Sequence, residues 1–202
     1  MKKYTMVLAP FFFLVMVLII AVGSYALFES QRTNTSNLEI AKWEIKVNDD
    51  MLSGSTSTFT INNFTWSTSQ YVKEGKTAPG IDGYFDIEID PNDADTSIRY
   101  DVTFDFSNLD SDQFTITEIK EVDEKSIVRT GQYTYSNIIS LEDIEDGETN
   151  TIRVYIEWVN DEDNNVKDSE LGTVLNNQLL IPVSVNVTQY INGDTLTPYL
   201  GG

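Results

Sequence analysis

Along one stretch of this chain every second side chain is apolar: Ile98, Tyr100, Val102, Phe104 and Phe106, with Arg99, Asp101, Thr103 and Asp105 between them. Successive residues of a strand point to opposite faces, so such a segment buries one face and wets the other. A helix would scatter the same residues around its circumference. Ile152, Val154, Ile156 and Trp158 repeat the alternation, as do Ile181, Val183, Val185 and Val187. Trp43, Ile45 and Val47 alternate with Glu44 and Lys46, and Phe85, Ile87 and Ile89 with Asp86 and Glu88. Weaker strands are expected over 57–66, 113–122 and 126–135.

Turn chemistry separates these runs: Asp49-Asp50, Asp90-Pro91-Asn92-Asp93, Asp110-Ser111-Asp112, Asp146-Gly147 and Asn192-Gly193-Asp194. Many half-buried strands divided by Asp, Asn and Gly turns predict an all-β fold, an antiparallel jelly-roll-like β-sandwich. One domain is expected over 38–202. Only 168–176 reads as helix, short and capped by Ser169. Pro182 cannot donate to a ladder, so its strand is expected at an edge or with a bulge.

The first 26 residues read differently. Lys2 and Lys3 precede an uncharged apolar run from Met6 to Val22, and Gly23-Ser24-Tyr25-Ala26 follows. A positive end, an apolar middle and small residues before the exit describe a secretory signal peptide, a hydrophobic helix. Cleavage is expected between Ala26 and Leu27, which places the remainder outside the cytoplasm. The rival reading is an uncleaved membrane anchor over 6–28, since about 20 apolar residues span a bilayer. Residues 27–37 form a polar lead-in with Leu27 and Phe28 at its tip.

Composition removes several classes of function. There is no cysteine, so no disulfide braces an exported domain. There is no histidine, which removes the commonest general base, the Ser-His-Asp and Cys-His machineries and His-based zinc sites. The net charge is −19, more negative still without Lys2 and Lys3, and argues against nucleic acid and anionic lipid as partners. The chain therefore reads as a non-enzyme.

Two loops carry oxygen ligands at spacings that suit calcium, which takes six to eight of them. One holds Asp90, Asn92, Asp93 and Asp95. The other holds Asp161, Asp163, Asn164, Asn165 and Asp168. The second opens like an EF-hand loop, but Val166 stands at the sharp-turn glycine and Gly172 at the closing glutamate. Acidic turn residues are also ordinary turn formers. No other cofactor is expected. The aromatics Trp43, Trp66, Tyr100, Phe104, Phe106 and Trp158 offer a sugar-binding face, but their strand spacing favours core packing. Carboxylate pairs for glycoside hydrolysis abound without one standing out.

Several segments resemble the family of TasA and camelysin, exported bacterial surface and biofilm-matrix proteins with SipW-type signal peptides. The exit Ser24-Tyr25-Ala26-Leu27-Phe28 is similar to their Ala-x-Phe exits. The strand with Trp43, Ile45 and Val47 occupies the place of their first major strand. Ala78-Pro79-Gly80-Ile81-Asp82-Gly83-Tyr84-Phe85 resembles the turn into their second, and Val183-Ser184-Val185-Asn186-Val187-Thr188-Gln189-Tyr190 their closing strand. The resemblance implies a structural subunit of the matrix or of surface fibres in Gram-positive bacteria. It implies assembly in which Leu27 and Phe28 lead a strand donated to the next subunit. Partners would be other copies or similar subunits, with a signal peptidase during export. The first alternative is a monomeric surface adhesion or binding module, dependent on calcium or glycan, and the third reading is a carboxylate-based glycosidase.

Overall fold

A computed structural model describes residues 16, 41–122, 126–173 and 179–201. The chain divides into two compact units, Met1–Ile40 and Ala41–Gly202, and the second carries the fold described below. Apart from Met16, the expected signal helix, the Ala26–Leu27 cut and the lead-in 27–37 lie outside the described residues.

Two antiparallel sheets form a β-sandwich, as the alternation predicts. The first runs β2 (Asp50–Met51), β1 (Lys46–Val47), β5 (Asp82–Asp90), β10 (Asn150–Trp158), β7 (Phe114–Glu121), with β4 (Thr65–Trp66) also beside β5. The second runs β3 (Thr56–Ile61), β11 (Ile181–Gln189), β6 (Ile98–Phe104), β9 (Thr134–Ile139), β8 (Val128–Arg129). Register keeps apolar residues opposite one another: Ile152 faces Ile87, Val154 faces Phe85, and Val185 faces Val102. These inward side chains are all buried and form one core. Fully burying each Val, Ile or Phe contributes roughly 1.5 to 3 kcal/mol. Phe85 of the first sheet meets Phe104 of the second edge to face, ring centroids 6.1 Å apart, so the two sheets share that core. Tyr100, Phe104 and Trp158 are buried, while Trp43, Trp66 and Phe106 are half-buried against the core. The aromatics are thus packing residues.

Turns follow their chemistry. Asn48 and Asp49, then Asn92 and Asp93, take positive φ between 42° and 68°, which Asn and Asp tolerate better than most residues.

Four local expectations change. The 57–66 stretch is not one strand: Asn62-Asn63-Phe64 carries the chain from β3 in the second sheet to β4 in the first. The 126–135 stretch is β8, a turn and the start of β9. The helix over 168–176 instead occupies Asn165–Thr173, entered through a 3-10 turn at Glu162–Asn164. Asp161 caps that turn, and Ser169 Oγ donates to the Asn165 carbonyl rather than capping. A second helix, Leu141–Glu145, starts at a capping box in which Ser140 and Asp143 satisfy each other's backbone N–H.

Pro182 also sits differently, because β11 lies between β3 and β6 rather than at an edge. The register with β6 begins only at Val183, opposite Phe104. Pro182 lies opposite Asp105 at the very end of that ladder: its carbonyl accepts from Asp105 N–H at 2.9 Å, and the missing proline N–H forgoes only the terminal return bond.

Candidate functional site

β7 is built from Phe114-Thr115-Ile116-Thr117-Glu118-Ile119-Lys120-Glu121 and, among the described residues, pairs only with β10. Ile116 and Ile119 are three residues apart, an odd spacing that would set them on opposite faces of a regular strand. The register shifts between Tyr155 and Ile156: Glu118 faces Tyr155 and Ile116 faces Ile156, leaving Thr117 as the extra residue of a bulge. The bulge returns both isoleucines to the same side, where they are half-buried against the core.

Beside them an open groove of about 470 Å³ runs between β7 and the β8–β9 hairpin. Phe106, Leu109, Ile116, Ile119, Tyr133 and Tyr135 give it apolar walls. Phe106 and Tyr133 meet edge to face at 5.1 Å, and Phe106 stacks on Phe104 at 5.5 Å, so the wall is continuous with the core. Burial pushes the Tyr135 phenol above its ordinary pKa, keeping it neutral. Arg129 borders the groove, donating through Nε to the Gly131 and Gln132 carbonyls at 3.1 and 3.0 Å. Its own carbonyl accepts from Tyr199 N–H at 2.8 Å, and its guanidinium lies over the Tyr199 ring at 5.3 Å. The C-terminal segment is thereby strapped along the outer side of β8.

The acidic loops are engaged in the fold. Asp90 accepts from Asn92 N–H at 2.8 Å and pairs with Lys46 at 3.3 Å. Asp95 accepts from the Lys42 backbone N–H, and Asn92 donates to Glu44 at 3.4 Å. In the second loop, Asp161 caps the 3-10 turn through Asp163 N–H, and the Asn165 carbonyl accepts from Ser169. Asn164 turns inward and donates to the Asp112 carbonyl at 2.6 Å. Asp168 is buried; its Oδ1 accepts from Trp158 Nε1 at 2.9 Å and Gln113 Nε2 at 3.2 Å, and its Oδ2 has no hydrogen-bond partner. Among the described residues no three His, Cys, Asp or Glu side chains stand together within reach of one metal ion.

The groove is what reading the sequence missed. Its one signal was the break in alternation at Thr117, which weakens a strand pattern unless read as a bulge. No family model, curated protein or solved structure matches this chain.

Proposed function

We propose that this protein is an exported, non-enzymatic structural subunit of the bacterial cell surface or extracellular matrix, which assembles by accepting a strand from a neighbouring copy. The observation that carries this reading is the pairing of an edge strand with an apolar groove at β7. An edge strand offers main-chain donors and acceptors to an added strand, and alternate side chains of that strand fill pockets beside it.

Topology supports the same reading. The longer strands change sheet at every step, with β3, β6, β9 and β11 in the second sheet and β5, β7 and β10 in the first. That is the crossing habit of a jelly roll, which has eight strands. Among the described residues the segment between β7 and β9 supplies only the two-residue β8, and β8 joins β9 instead of β7. Among the described residues β7 is therefore left with no strand beside its outer edge. The lead-in 27–37 is the donor in this reading, with Leu27 and Phe28 entering the groove. Cleavage after Ala26 frees its tip and couples export to assembly, as the resemblance to the TasA and camelysin family implies.

Deleting residues 27–37 from the mature chain tests the reading. The truncated protein is expected to keep a β-type circular dichroism spectrum and to form no fibres by negative-stain microscopy, while the mature chain polymerises. Equal polymerisation of both rejects strand donation by this segment. A mature chain that stays monomeric makes an adhesion or binding module the better reading.

A further inference from the structure

The two longer sheet edges differ. β7 carries Glu118, Lys120 and a bulge at Thr117. β3, Thr56–Ile61, has no charge, no proline and no register break along β11. The remaining edges, β2, β4 and β8, are two residues long, and Tyr199 covers part of β8. Proteins commonly blunt exposed edges with charges, proline, bulges or short strands. Of these five edges, β3 alone lacks every one of those devices.

Charge isolates the same strand. No charged residue occurs between Asp50 and Lys73, nor between Glu170 and Asp194. These runs contain β3 and its neighbour β11, which form a neutral corner on a chain of net charge −19. Thr58, Phe59, Pro182 and Ser184 line a shallow depression there, and Asp105 is its one charged neighbour among the described residues. Two copies of so acidic a protein repel each other over most of their surface, and least at such a corner.

The main chain of β3 is presented for pairing. Val187 N–H donates to the Ser55 carbonyl at 2.8 Å, and the register continues with Val185 opposite Ser57 and Val183 opposite Phe59. Hydrogen bonding alternates along an antiparallel strand. Ser57 and Phe59 therefore direct their backbone groups to β11, while Thr56, Thr58 and Thr60, all exposed, direct theirs away from the sheet.

We propose that β3 is a self-pairing edge. The β3 strands of two copies join antiparallel about a two-fold axis at Thr58, so that the second sheet continues from one copy into the other. Thr58 then lies opposite its counterpart and Thr56 opposite Thr60, each pair exchanging main-chain hydrogen bonds. Half-buried Phe59, at the rim of the core, comes opposite Ser57 of the other copy and is covered. The contact is self-complementary and closes as a dimer. It is independent of strand addition at β7; the two together would join fibres side by side.

The chain has no cysteine, so one introduced thiol reports the contact. Residues directly opposite in a hydrogen-bonded antiparallel pair have Cα atoms about 5.5 Å apart, within disulfide reach. The full mature chain carrying Thr58→Cys is expected to give a disulfide-linked dimer on mild oxidation, while Thr117→Cys on β7 gives none. Thr58→Lys, which sets two ammonium groups at the axis, is expected to convert a sedimenting dimer to monomer with an unchanged circular dichroism spectrum. Mixing it with Thr58→Glu is expected to restore the dimer. Failure of Thr58→Cys to cross-link, cross-linking of both cysteine variants alike, or a dimer that survives Thr58→Lys overturns the proposal. Fibre formation through 27–37 is read separately by microscopy; where the mature chain forms fibres, loss of their side-by-side pairing in Thr58→Lys takes the place of the sedimentation result, while the cysteine cross-links are read as before.

Discussion

Tyr100 on β6 donates its phenol hydroxyl to the carboxylate of Glu121 on β7, joining the two sheets through a buried acid. Asn137 donates to both Glu121 oxygens at 2.9 and 3.0 Å, and Asn150 to Oε1 at 3.3 Å and to the phenol oxygen at 3.1 Å. Among the described residues no cation takes part. The carboxylate is held by neutral donors, which a buried acceptor requires. Glu121 also ends the strand that borders the groove, so this network fixes one end of β7 against the opposite sheet.

Removing the acceptor should be costly. Glu121→Ala leaves the Tyr100 hydroxyl and the Asn137 amide without the acceptor they share, and a loss of about 3 kcal/mol is expected. Glu121→Gln keeps an acceptor oxygen and should lose less than half as much. Urea unfolding of the two variants against the parent checks the order. Equal losses would mean that the side chain acts by filling space.

The same network predicts alkaline sensitivity. Burial first, then the nearby Glu121 charge, pushes the Tyr100 phenol far above its ordinary pKa of about 10. The unfolded chain releases this proton at pH above about 10, where the folded chain still holds it. Stability is therefore intact below that pH and falls as pH rises beyond it. Tyr100→Phe should flatten this fall by one proton's worth of slope in melting temperature against pH. An unchanged slope would exclude Tyr100 as its source.

Gly83 is fixed by close approach rather than by backbone freedom. A Cβ there would stand 2.7 Å from Trp66 Cε3 and 2.9 Å from the Thr65 carbonyl oxygen. Gly83→Ala should push β4 off β5 and destabilise the fold by about 1 to 3 kcal/mol. Near-ultraviolet circular dichroism should register the displaced Trp66 while the β signal remains. A fully retained tryptophan signal would show that β4 adjusts without leaving.

The acidic loops make a separate prediction. Asp90, Asp95, Asp161 and Asp168 are each engaged in turns, caps or buried hydrogen bonds. Millimolar calcium is expected to leave the melting temperature unchanged. Asp168→Ala should cost about 1 to 3 kcal/mol with or without calcium, because it strands Trp158 Nε1 and the Gln113 amide. A calcium-dependent rise in melting temperature, abolished by Asp161→Ala with Asp163→Ala, would instead establish an ion site.

Alternation at period two is a local property, and wherever it was unbroken the sequence by itself determined the strand and the face it buries. β5, β6, β10 and β11 were legible for that reason. So was the all-β class, because turn-forming Asp, Asn and Gly residues divide the runs. Ser140 with Asp143 carries a cap signal, but the helix it starts is only five residues long, too short to show a helical period. Sheet membership is not local. Whether 57–66 stays in one sheet or crosses to the other depends on which partners are free when Phe64 and Trp66 pack, and no pattern within the segment encodes that. Tertiary structure also decided the bulge at Thr117, and with it the groove, because returning Ile116 and Ile119 to one face gains more by burial than a regular ladder would keep. It likewise decided that Glu121, read as one acid among many, points inward: Tyr100, Asn137 and Asn150 come from three other strands, and only the packed sandwich brings their donors to one carboxylate.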